Sequence, residues 1–260
     1  MLIVTGLRDT RTKSLRNPSK VTSSINMDPV RYLRGKTGKK QKIMMISNGV
    51  DKKPTKGEYL DILLRSPKTV FSTKDVALLW VEERENTVSA RLNKYAKAGK
   101  LIRVRRGLYA KDKNYDKFEL ATRIYTPSYI SFETVLTRAG INFQYYSNIF
   151  VASYVSREVE IDGQKFTFVR MKSYVLSNTD GIDHKAGHAI ATKERAFLDR
   201  IYVSKDYHFD NLDSLDWDAI FRILPIYNNK RMAKRVNAYF KHYSAEGGSA
   251  SGGKNSNSNI

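Results

Sequence analysis

A chain of 260 residues without a cysteine cannot form disulfides, attack through a thiol or hold zinc with thiolates. Its 46 Lys and Arg against 26 Asp and Glu leave a net charge of +20, which points to a polyanionic partner, nucleic acid before an acidic membrane surface. No run of about 18 apolar residues could span a bilayer and MLIVTGLRD is no secretory signal, so a cytoplasmic protein without a membrane partner is expected.

Residues 1–57 carry fourteen Lys and Arg against Asp9, Asp28 and Asp51, with no sustained apolar periodicity. A basic, disordered arm is expected there, with Met27, Met44 and Met45 as alternative starts. GKT at 35–37 is not a phosphate loop, because Val30 stands where that motif needs glycine.

EYLDILLRS (58–66) predicts a helix with Tyr59, Leu60, Leu63 and Leu64 on one face. FSTKDVALLW predicts a second, with Ser72 or Thr73 as N-cap, Asp75 in the first turn and Val76, Leu79 and Trp80 inward. TVSARLNKYAKAG predicts a third, capped by Asn86 or Thr87 and ended by Gly99. Its spacing puts Val88, Leu92 and Tyr95 inward and Ser89, Arg91, Asn93, Lys94 and Lys97 wholly or partly outward. AGKLIRVRRGLYAK (98–111) then predicts two short strands about Gly107, carrying Lys100, Arg103, Arg105, Arg106 and Lys111 with no carboxylate among them.

Three helices followed by a hairpin is the order of a winged helix-turn-helix, so residues 58–111 are expected to be a DNA-binding domain. Ser89, Arg91 and Asn93 are the candidates for base edges, since Arg pairs with guanine and Asn with adenine. Lys94, Lys97, Arg105 and Arg106 are assigned to phosphates, and Thr73, Lys74, Thr87 and Arg103 complete the DNA-binding set. A solvated basic face on a protein-interaction module is the alternative.

Residues 112–243 predict a separate mixed α/β domain, which makes the fold class α+β overall. FELATRIY and SFETVLTRAGI are helical, the second capped by Ser131. NIFVAS (148–153), SREVEID (156–162) and KFTFVRM (165–171) are strands, the last two joined at Asp162-Gly163. TKERAFLDRIY begins at Thr192 and turns Phe197, Leu198 and Ile201 inward, while DWDAIFRIL and NNKRMAKRVNAYFKHY supply the C-terminal helices. The second of these presents Met232, Val236, Tyr239 and Tyr243 as one stripe, and residues 244–260 form a flexible Gly/Ser/Asn tail.

No catalytic constellation stands out. His184 and His188, with Asp183 near, read as solvated loop residues rather than metal ligands, and DYHFD around His208 as a surface turn. Asp162 and Lys165 flank a turn where a nuclease core needs a continuous strand, and Ser131 and Ser156 lack the surroundings of a nucleophile. Neither an enzyme nor a bound cofactor or metal is expected.

The runs KTVFSTKDVALLW, GKLIRVRRGLYAK, TPSYISFETVLTRAG, IFVAS and ATKERAFLDRIY resemble the AbiEi family of antitoxins from type IV toxin–antitoxin systems, over roughly residues 58–243. The resemblance implies a prokaryotic cytoplasmic protein of phage defence, whose N-terminal winged helix binds its own operon's promoter. It implies a C-terminal domain that counteracts a nucleotidyltransferase toxin without a stable complex. It places DNA contact at Ser89, Arg91, Arg105 and Arg106 and carries no catalytic residue. A dimer on DNA is compatible with it. The alternative is a sequence-specific transcriptional regulator whose C-terminal half dimerises or senses a ligand.

Overall fold

The computed structural model describes residues 54–245 except Lys56 and Ala186, together with a ladder in which Leu33–Arg34 (β1) pairs antiparallel with Lys40–Gln41 (β2). Apart from that ladder, Pro54, Thr55, Gly57, Ser244 and Ala245, the expected arm and tail lie outside the described residues. Residues 1–50 and 51–260 are two units, and the elements from α1 onward belong to the second.

Its first part runs α1 (Glu58–Arg65), β3 (Val70–Ser72), α2 (Thr73–Leu79), α3 (Glu85–Lys97), β4 (Ile102–Arg105) and β5 (Leu108–Ala110). Tyr59, Leu63, Phe71, Val76, Trp80, Val88, Leu92, Leu101 and Tyr109 pack into one apolar core. Trp80 adds a hydrogen bond from Nε1 to the Tyr59 carbonyl at 2.9 Å. Leu64 departs from the expected apolar face and is exposed, because the α1 contact is narrower than the stripe of leucines. The third helix starts at Glu85, earlier than expected, with Arg84 at the N-cap and no side-chain cap.

Ser72 and Asp75 close α2 with a capping box. Asp75 N donates to Ser72 Oγ at 3.1 Å, and Ser72 N and Oγ donate to Asp75 Oδ2 at 3.0 and 2.8 Å. Burial raises the Asp75 pKa, but the Ser72 bonds and the Arg123 guanidinium at 3.3 Å outweigh it and hold the carboxyl below 3.8. A depressed acid contributes stability above its unfolded pKa and loses it as pH falls through the folded one. Asp75→Ala is therefore expected to cost about 1–2 kcal/mol at neutral pH. Urea melts of parent and variant should converge only as pH falls through the lowered folded pKa, under 3.8, where the parent loses the charge that the variant lacks.

The sheet order is β3-β5-β4, all antiparallel, with Val70 opposite Ala110, Phe71 opposite Tyr109 and Ser72 opposite Leu108. Side chains alternate between faces along each strand. Phe71 and Tyr109 enter the helical core, while Val70, Leu108 and Ala110 enter the larger core formed by the rest of the chain. The expected boundary at residue 111 thus falls beside a sheet that both cores use, within one compact unit.

The larger core surrounds a six-stranded mixed sheet, ordered β10 (Ile182–Lys185), β11 (His188–Ala191), β6 (Ser128–Ile130), β7 (Ile149–Ser153), β9 (Gln164–Arg170) and β8 (Arg157–Ile161). The β11–β6 and β7–β9 pairs are parallel and the others antiparallel. Helices α4 (Lys117–Ile124), α5 (Glu133–Arg138), α6 (Ser173–Leu176), α7 (Lys193–Val203), α8 (Trp217–Ile223) and α9 (Lys230–Ala245) complete it. From α4, buried Glu119 clamps the start of β3: its Oε2 accepts from Thr69 N and Oγ1 at 2.7 Å and from Val70 N at 2.9 Å. Thr192 caps α7 as expected.

Ser131 does not cap α5. The N-cap is Phe132 at φ 55°, and the Ser131 hydroxyl turns inward to donate to Asp199 at 2.8 Å. His184 and His188 are on strands rather than in a loop. In the β10–β11 register His184 faces Ala189 and His188 faces Lys185, so the two histidines sit on opposite sides of the ribbon.

Candidate nucleic-acid interface

Helix α3 turns its apolar spacing inward and leaves Asn86, Thr87, Ala90, Lys94 and Lys97 exposed. Asn86 and Ala90 lie outside the expected DNA-binding residues, although at 100° per residue they stand opposite Val88 and Leu92. Ser89 is half-buried on the flank.

Two expected base-reading side chains have partners inside the protein. The Arg91 guanidinium lies 3.4 Å from the centroid of the Tyr59 ring and 5.7 Å from that of Trp80. Asn93 Oδ1 accepts the Tyr109 hydroxyl at 2.9 Å, which ties α3 to β5. Arg91→Ala should accordingly cost about 0.5–2 kcal/mol of stability in a denaturant titration, through the lost cation–π stack. A base contact at Arg91 predicts instead unchanged stability and a loss of about 1–3 kcal/mol on a specific duplex alone.

The hairpin divides its cations between two sides. Arg103 pairs with Tyr109 across the ladder and is exposed, as is Arg106 in the turn beside Gly107. Gly107 takes φ 77°, which suits glycine, and its carbonyl accepts Thr73 N at 3.0 Å, locking the turn onto the start of α2. A register shift between Arg103 and Arg105 re-aims the strand there. Arg105 consequently packs 5.6 Å from the Tyr125 ring, half-buried, rather than pointing outward with Arg106.

Arg105 Nη1 and the Tyr125 hydroxyl have no hydrogen-bond partner of good geometry. Burial raises the Tyr125 phenol, but nearby Arg105 and Arg157 more than reverse this and lower it. Exposed Lys74 lines a cleft of about 600 Å3 with Lys68, Arg123 and His184, at the other side of the hairpin turn. Exposed Lys94, Lys97, Arg103, Arg106 and Lys74 therefore lie on α3, the hairpin and the start of α2, with Thr73 half-buried between them. Lysines and arginines free of carboxylate partners suit phosphate oxygens.

The SYISFETVL and ATKERAFLD runs meet elsewhere, in a sealed polar cluster. Asp199, fully buried, accepts from Tyr227 Oη at 2.7 Å, Ser131 Oγ at 2.8 Å, Tyr129 Oη at 3.2 Å and Arg195 Nε at 3.3 Å. Arg195, equally buried, donates to the carbonyls of Asp180 and Val175 at 2.8 Å. Burial pushes the Asp199 carboxyl up and the Tyr129 and Tyr227 phenols well up. Closed to solvent, the cluster holds helices, strand and loop together and offers no substrate a way in. Glu133, also buried, adds an ion pair to Arg200 at 3.2 Å.

His188 Nδ1 is 3.3 Å from Asp116 Oδ2 and its ring stands edge-on to Phe118. Among the described residues no group of three or more His, Asp or Glu could hold a metal, and no helix is long and apolar enough to cross a membrane. Compared with models of known families the chain matches none, and no curated protein matches it.

Proposed function

We propose that the chain binds duplex DNA through a winged helix-turn-helix, with α3 in the major groove and the β4–β5 hairpin on the flanking backbone, and that it is the antitoxin of a type IV toxin–antitoxin pair. The observation that carries the DNA reading is the order α1–β3–α2–α3–β4–β5 with β5 central in its sheet, together with exposed cations on α3 and the hairpin that make no ion pair among the described residues. Phosphate contact is assigned to Lys94, Lys97, Arg103 and Arg106. Base reading is assigned to the exposed first turns of α3, Asn86, Thr87 and Ala90 with Ser89 beside them, because Arg91 and Asn93 are already engaged. The antitoxin reading is supported by the AbiEi-like runs, of which SYISFETVL and ATKERAFLD build the polar core of the second half.

The experiment is co-expression with the product of the adjacent gene, which this reading makes a nucleotidyltransferase toxin, driven from an unrelated promoter. Intact chain and a variant with Lys94, Arg103 and Arg106 replaced by Ala should both restore growth, since neutralisation is assigned to the second half. Rescue by the intact chain alone would tie protection to DNA binding. Rescue by neither would leave a transcriptional regulator without antitoxin activity.

A further inference from the structure

An open groove of about 1000 Å3 lies at the C-terminal ends of β7 and β9 in the six-stranded sheet. Arg170 closes β9 there, opposite Ser153 in the parallel register, and Tyr154 follows Ser153 directly. Lys172, Tyr174, Tyr202 and Val203 complete the part of the wall that matters, and no Asp or Glu lines it. Arg170 and Lys172 are exposed and, among the described residues, take part in no ion pair.

The rings are set rather than loose. Tyr174 donates its hydroxyl to the Tyr227 carbonyl at 3.1 Å, and Tyr154 stands edge-on to Tyr125 at 6.2 Å. Both nevertheless leave 47% of their surface to solvent, and Val203 leaves 37%. Exposed ring faces gathered in one concavity can stack against a flat ligand. Lys172 Nζ lies 5.9 Å from the Tyr174 ring, so charge and aromatic face are presented together.

We propose that this groove binds single-stranded nucleic acid, with Arg170 and Lys172 on phosphates and the faces of Tyr154 and Tyr174 under unstacked bases. A duplex keeps its base faces inside its own stack and could use only the cations, whereas a single strand uses cations and rings alike. Polyanions without bases would leave the tyrosines unused. The inference is independent of the duplex surface on α3 and the hairpin. Tyr154 nonetheless lies one ring from Tyr125, which Arg105 of the hairpin covers, so a strand leaving the hairpin could reach the groove.

The probe is a fluorescein-labelled oligothymidylate of eight nucleotides, titrated with the intact chain by anisotropy. Tyr154→Ala should weaken binding about five-fold or more, and Tyr154→Phe, which keeps the ring, should retain it. Replacing Arg170 and Lys172 by Ala should flatten the dependence of log affinity on log salt by about 0.7 per cation. Duplex affinity should stay within about two-fold of the parent in all three variants. Parental oligonucleotide binding by both Tyr154→Ala and the double variant overturns the proposal. So does displacement of the probe by polyglutamate as readily as by unlabelled oligonucleotide, or by thymidine monophosphate at equal concentration.

Discussion

Asp199→Ala is expected to destabilise the protein by about 3–5 kcal/mol, more than Asp75→Ala or Arg91→Ala. The carboxylate accepts four donors, and its removal strands the Arg195 guanidinium, wholly buried, with only two carbonyls and one phenol for company. It also leaves the Tyr227 and Ser131 hydroxyls without their acceptor. A buried charge without its counter-ion costs far more than the pair contributes, so replacing both members by Met and Leu should cost much less than replacing Asp199 alone. Urea denaturation of the three proteins decides it. A single variant within about 1 kcal/mol of the parent would show that the cluster is not what holds α7 to the sheet.

The second large effect is on duplex binding. Replacing Lys94, Arg103 and Arg106 by Ala removes three exposed cations from α3 and the hairpin. Each phosphate contact contributes about 0.9 to the slope of log affinity against log salt. Three lost contacts therefore predict a slope shallower by nearly three and, at about 0.15 M salt, affinity weaker on the order of a hundredfold. None of the three takes part in an ion pair among the described residues, so the melting temperature should hardly move.

The sequence was most legible where periodicity and caps agree. The three helices, the hairpin about Gly107 and the strands 149–153, 157–161 and 164–170 all stand where spacing and turn residues put them. Strands β3, β6, β10 and β11 escaped because three or four residues carry no readable alternation, and pairing with distant partners is what makes them strands. Ser131 looked like a cap because its sequence neighbours permit one, but a buried carboxylate from 68 residues away claims its hydroxyl. The same limit applies to the interface. Charge located the basic hairpin, yet only the β-bulge separates Arg105 from Arg106, and only the packing of α1 under α3 places Tyr59 beneath Arg91.

The most direct measurement is an equilibrium titration of the intact chain with duplex from upstream of its own gene, and with scrambled duplex, across a series of salt concentrations. A control variant loses the same three charges from exposed positions on α9, Lys230, Lys234 and Lys241. A winged-helix surface on α3 and the hairpin predicts steep salt dependence in the parent, a slope flattened by nearly three in the Lys94, Arg103 and Arg106 variant, and a near-parental slope in the control. Equal flattening in the two variants would contradict it, since the duplex would then be answering net charge and not this surface.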